Sequence, residues 1–112
     1  MASAVTDKKD KASGSFALPD AHLIRKSHLV FRALNHPLRQ QILSLLLSNP
    51  EMTVTEVFEK LFLEQSVASQ HLAILRRTGF VKTKKKGKFV WYMINTDRLQ
   101  EMHEVINILM KP

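Results

Sequence analysis

The chain contains no cysteine, which excludes disulfides, thiolate-held metals and thiol redox sensing together. Its three glycines form no phosphate-cradling loop. No apolar run approaches the roughly 18 residues of a membrane span. The N-terminus lacks the apolar core of a signal peptide, so a cytoplasmic location is expected. Catalytic groupings are missing too. His103-Glu104 is followed by Val105, Ile106 and Asn107 rather than by the second histidine of a zinc HExxH pattern, and the serines lack a base and an orienter. Neither an enzyme activity nor a cofactor is expected. Acidic residues are also few: 10 Asp and Glu stand against 17 Lys and Arg. The resulting formal charge of +7 and pI near 10.0 suggest a polyanionic partner, either nucleic acid or an anionic membrane surface.

What remains fits one domain, since 112 residues with 45% hydrophobic content can build a core. A monomer of this size is only modestly stable, so pairing with a second copy would help it. Met1–Ser15 is small, polar and charged, and residues 1–17 read as a disordered tail ahead of a folded domain at 18–112. A first helix is predicted from about Asp20 to Leu34, with Leu23, Ile24, Ser27, Val30, Phe31 and Leu34 on one stripe widened by Leu29 and Ala33. Asn35-His36-Pro37 breaks it. The second helix, Pro37 to Ser48, is apolar nearly all round, as expected of a central buried helix. Thr53 and Glu56 have capping-box spacing at the start of a third helix whose inner face is Val54, Val57, Phe58 and Leu61.

The stretch from Glu64 to Ile94 organises the rest. Val67, His71, Leu72 and Leu75 recur at helical spacing and point inward, while Ser66, Ser69, Gln70, Ala73 and Arg76 or Arg77 fall on the other side. Gly79 stops this helix with a left-handed cap. The period then changes to two: Phe80-Val81 and Phe89–Ile94 read as strands joined by a turn at Lys85–Lys88, with lysines at 82, 84, 85, 86 and 88 crowding the hairpin. A polar helix beside a cationic hairpin suits duplex DNA, the helix reading base edges and the lysines gripping phosphates. Taken singly, the helix face is equally a solvated surface and the lysines equally protect a sheet edge; the order of short helix, turn, polar helix and basic hairpin favours nucleic acid. A last helix, capped by Asn95 or Thr96 and reaching about Met110, carries Leu99, Met102, Ile106 and Leu109 as a seam and Val105 with Ile108 as a second stripe. Two apolar sides here, and a broad first helix, predict a two-fold dimer interface.

Ala33–Arg39, Val54-Thr55-Glu56, Gln65-Ser66, Ser69–Leu72 and Leu75, then Gly79-Phe80-Val81, Lys86-Gly87-Lys88 and Tyr92, together resemble the ArsR-type (ArsR/SmtB) winged-helix repressors over about residues 20–110. The resemblance implies a mainly α, α+β winged helix-turn-helix of order α-α-α-α-β-β-α. It further implies a homodimer closed by the first and last helices through Leu23, Val30, Leu99, Met102, Ile106 and Leu109. Base-reading positions of the family fall on Gln65, Ser66, Ser69 and Gln70, and duplex DNA would be gripped along its backbone by Arg76, Arg77, Lys84, Lys85, Lys86 and Lys88. Two positions depart from the pattern: Glu64 stands where serine often caps the reading helix, and Phe62 stands where the turn often has glycine or asparagine. The alternative from a different class is a winged-helix module that binds protein or RNA without a specific operator.

Family members that release DNA on binding metal use cysteines, absent here, or an Asp-x-His pair on the last helix. In this chain Asp97 is followed two residues later by Leu99, leaving Asp97, His103 and Glu104 as weak ligand material. His22, His28 and His36 do not share one helix face. No metal is expected, and the residue pattern specifies no inducer.

Overall fold

The computed structural model describes residues 16–112. The expected tail at 1–15 lies outside the described residues, and residues 16–20 are exposed and without regular structure. The elements follow in the order α1 (Ala21–Leu34), α2 (Pro37–Ser48), β1 (Met52–Thr53), α3 (Val54–Lys60), α4 (Gln65–Arg77), β2 (Val81–Lys86), β3 (Phe89–Ile94) and α5 (Thr96–Leu109). This is the expected winged helix-turn-helix with one addition. β1 pairs antiparallel with β3, Met52 opposite Tyr92 and Thr53 opposite Trp91, giving a three-stranded sheet in the order β1–β3–β2.

Each boundary has a local cause. The Asp20 carboxylate accepts from the backbone N–H groups of His22 and Leu23 and starts α1. The end of α1 is satisfied carbonyl by carbonyl: Phe31 by the Asn35 N–H, Arg32 and Ala33 by the Arg39 side chain, and Leu34 by the His36 N–H and the Gln40 amide. Pro37 opens α2 where its missing N–H is harmless, and the His36 ring accepts from Leu38 N–H. Thr53 and Glu56 form the complete reciprocal capping box of α3.

The core lies where α2, α3, α4 and the base of the sheet meet. Ile42 and Leu46 of α2, Val57 of α3, Leu72 and Leu75 of α4, and Phe80 are its largest fully buried side chains. Each removes enough apolar surface from water to contribute about 1.5–3 kcal/mol. Met52, Ala68, Val81 and Met102 complete it.

Met102 corrects the expected partner-facing seam. It is only 5% exposed and packs in the core of its own chain. The reason is rotational: Met102 and Ile106 take the face of α5 turned to the domain, which leaves Val105, Ile108, Leu109 and Met110 outside. Leu23, Ile24 and Leu29 of α1 are likewise exposed, while Val30 and Leu99 are half-buried.

Candidate nucleic-acid interface

α4 is amphipathic in a way that sorts size as well as polarity. Successive residues turn by about 100°, so Gln65, Ser66, Ser69, Gln70, Ala73, Arg76 and Arg77 share one arc, and all seven are exposed. Ala68, Leu72 and Leu75 are buried on the opposite side, flanked by half-buried Val67, His71 and Ile74. The outer arc has amide and hydroxyl groups at its N-terminal end and guanidinium groups at its C-terminal end. Such a face can approach a polar surface closely, with cation at the end where the helix dipole favours it.

The entry to this helix carries both unusual residues. Phe62 sits at φ 56°, the left-handed region that disfavours a bulky side chain, and its ring is almost wholly exposed. Glu64 is the N-cap but makes no side-chain cap hydrogen bond. The exit is built more tightly. Gly79 takes φ 86°, its N–H donating to Arg76 and the Phe80 N–H donating to Leu75, which is a Schellman motif. Phe80 and Leu75 are both buried, as that motif favours.

Asn95 joins this exit to the wing and α5. Its backbone N–H donates to Phe80 O, its side-chain amide donates to Gly79 O at 2.9 Å, and its side-chain oxygen accepts from Arg98 N–H at the start of α5. One residue therefore fixes the angles between α4, the hairpin and the last helix.

The hairpin turn is tighter than the four residues expected. Lys86 already pairs with Phe89, leaving Gly87 and Lys88 as a two-residue loop, with φ 63° at Gly87. Alternation puts Lys82, Lys84 and Lys86 on one face with Phe89, Trp91 and Met93, and Lys85 on the other with Val90. All five lysines from 82 to 88 are exposed. Lys86 does not project alone. Its ammonium pairs with the Glu51 carboxylate and stands 5.0 Å from the Trp91 ring centroid. Chiefly through that hydrogen bond, Lys86 holds the Glu51 carboxyl below the usual carboxylate range. The sequence pattern did not reveal this pair, because Glu51 lies 35 positions away and only the sheet brings it close.

Behind α4, His71 turns inward and its Nδ1 lies 3.3 Å from an Arg39 nitrogen. Nothing in its sequence neighbourhood marks Arg39 for this place: it is 7% exposed, the one buried charged residue among those described. Among the described residues, no three His, Asp or Glu side chains gather where they could hold a metal ion, and no helix is long and apolar enough to cross a membrane.

A helix-turn-helix whose second helix turns an unobstructed polar arc outward, followed by a basic two-stranded wing, defines a winged-helix regulatory domain. Comparison with known proteins makes this specific. The sequence model described as "Bacterial regulatory protein, arsR family" matches residues 36–83, from the α1–α2 junction into the wing. The chain is 39% identical over 84 residues to the transcriptional activator HlyU of Vibrio cholerae, covering 75% of this chain and 77% of that protein. It is 35% identical over 72 residues to the transcriptional repressor SdpR of Bacillus subtilis, covering 64% and 79%. The solved structure of Vibrio cholerae HlyU superposes with a TM-score of 0.62 at 35% identity, covering 83% of this chain and all of that one. A homodimeric winged helix-turn-helix DNA-binding domain from Mycobacterium bovis shares the fold, with a TM-score of 0.67 at 24% identity and coverage of 85% and 89%. The chain belongs to the arsR family of bacterial regulatory proteins, and it is a transcriptional regulator.

Proposed function

We propose that the protein is a homodimeric repressor that binds an inverted-repeat operator in duplex DNA and blocks promoter use by occupying it. The exposed arc of α4 carries this reading. Gln65, Ser66, Ser69 and Gln70 are short or amide-bearing, and glutamine can make a bidentate contact to adenine while serine serves several bases or phosphates. Arg76 and Arg77, with Lys84, Lys85 and Lys88 of the wing, grip the backbone on either side. Lys86 joins them once a phosphate displaces Glu51.

The second copy packs against the outward apolar positions of α1 and α5. Leu23 and Leu109 remain in this interface, with half-buried Val30, Leu99 and Ile106 at its base. Two reading helices then fall about one turn apart, roughly 34 Å on B-DNA. HlyU is named an activator and SdpR a repressor. Repression is favoured here because it needs only occupancy of the operator, which this surface supplies.

The protein acts in the cytoplasm and is not an enzyme. The α4 serines have no base beside them, since His71 is turned to Arg39. One solved structure is of reduced HlyU from Vibrio cholerae; the 112 residues of this chain contain no cysteine.

The test separates reader from clamp. Gln70→Ala is expected to relax preference at one base position, losing ~1–3 kcal/mol of discrimination. Changing Lys85 and Lys88 to Ala is expected to weaken all duplexes alike and flatten the salt dependence. Altered base preference in the lysine variant with none in Gln70→Ala would reverse the assignment. Binding to RNA or protein with no duplex preference would favour an interaction module instead.

A further inference from the structure

Arg39 is a cation buried in the domain. Among the described residues no carboxylate pairs with it. Its charge is met instead by two carbonyls at the C-terminal end of α1: Nε donates to Ala33 O at 2.6 Å and Nη2 to Arg32 O at 3.1 Å. Those are last-turn carbonyls with no partner inside their own helix, at the end where the helix dipole is negative. Burial, and Arg32 after it, lowers the Arg39 pKa from its ordinary value, but a guanidinium stays charged in proteins. The far side of the guanidinium reaches α4, where Nη1 lies 3.3 Å from Nδ1 of His71 and donates to it. A single planar side chain on α2 thus holds the end of α1 and the back of α4 at once.

We propose that Arg39 is a positioning residue for DNA binding, tying the C-terminal turn of α1 to His71 and so fixing the angle at which α4 presents its outer arc. This rests on the reading of α4 as the DNA-reading helix and of α1 as part of the dimer interface. The tie gives a physical link between those two surfaces, because a shift of α1 within the dimer moves the carbonyls that orient Arg39. Lysine cannot replace it, since a single ammonium lacks the fixed fork that reaches three acceptors in a plane.

The tie also depends on protonation. A guanidinium only donates, so Nδ1 of His71 must keep its lone pair. The groups facing the imidazole are Arg39 from α2 and the His36 ring from the α1–α2 junction, whose centroid is 4.8 Å away; no carboxylate from α1, α3 or the wing is among the charges acting on it. Burial first, then His36 and Arg39, hold His71 below its ordinary value of 6.5. The sign follows. The native state favours neutral His71, so the tie is intact above 6.5 and is lost as pH falls through the lowered native value.

The experiment uses the full chain, a duplex recovered by selection from a random pool, and a scrambled duplex of equal length. Affinity for both is measured from about pH 7.5 down to the acid limit of the fold for wild type, Arg39→Lys and His71→Asn, with folding followed by circular dichroism. Asparagine places an acceptor where Nδ1 was and does not titrate. The ratio of the two affinities cancels the general attraction gained when exposed histidines charge. In Arg39→Lys the ratio is expected to drop ~10-fold at neutral pH. In wild type it is expected to fall with acid, and in His71→Asn to stay level relative to its own neutral value. Equal pH profiles for wild type and His71→Asn overturn the proposal, as does a folded Arg39→Lys with an unchanged ratio. If Arg39→Lys fails to fold, the wild type against His71→Asn comparison decides alone. Failure to recover any preferred duplex would instead remove the DNA reading, and the proposal with it.

Discussion

Two side chains stand at a cost, one to the fold and one to the proposed DNA contact. Phe62 holds φ 56°, which costs an L residue about 1–2 kcal/mol, and its exposed ring recovers little of that by packing. Phe62→Gly is therefore expected to raise stability by about 0.5–1 kcal/mol, the gain reduced by glycine's greater freedom when unfolded. Urea unfolding measures it, and a loss of stability would show that the ring packs more than its exposure indicates. Glu51 is the other. Its pairing with Lys86 means that a phosphate contact at Lys86 must first break an existing ion pair. Glu51→Gln is expected to tighten DNA binding and to steepen the salt dependence by up to about 0.9 in slope, one more counterion being released. Titrations at several salt concentrations check this, and weaker binding by the variant would mean that Glu51 mainly holds the wing in place.

Among the elements, those written in short-range patterns were legible in the sequence. The Thr53–Glu56 capping box, the Pro37 start of α2 and the inner stripe of α4 each depend on residues a few positions apart, and each stands as expected. β1 was not legible, because two residues carry no alternation and become a strand only by pairing with Tyr92 and Trp91, some forty positions on. The α5 seam was half legible: its apolar residues were visible, but which stripe faced the domain depended on where Asn95 sets the helix. The outward position of the α4 polar residues was predictable from period alone. The back of the site was not, since Arg39 reads as a surface cation until His71 and the end of α1 are placed around it. The Asn95 joint is the elements' most exposed dependence. Asn95→Ala removes the α5 cap and the bond to Gly79 O, and is expected to cost about 1–2 kcal/mol. It should also weaken DNA binding more than a variant of equal instability in α3, which thermal melts and affinity measurements together resolve.

At the scale of the molecule, the outward apolar residues of α1 and α5 are what a lone chain leaves unexplained. Leu23 is 61% exposed, Ile108 72% and Leu109 65%. Ile108→Arg places a charge on that face and is expected to give a folded monomer by analytical ultracentrifugation, with the concentration dependence of wild-type melting abolished. A variant that remains dimeric would move the interface elsewhere. The +7 charge then supplies attraction to any duplex, and only pairing of two reading helices at fixed separation converts attraction into recognition. Selection of bound sequences from random duplex DNA at near-physiological salt measures that conversion. An enriched inverted repeat with half-sites about one helical turn apart is the expected result. A pool that stays random, with binding lost as salt rises, would contradict it and leave the lysines and arginines as a source of general attraction alone.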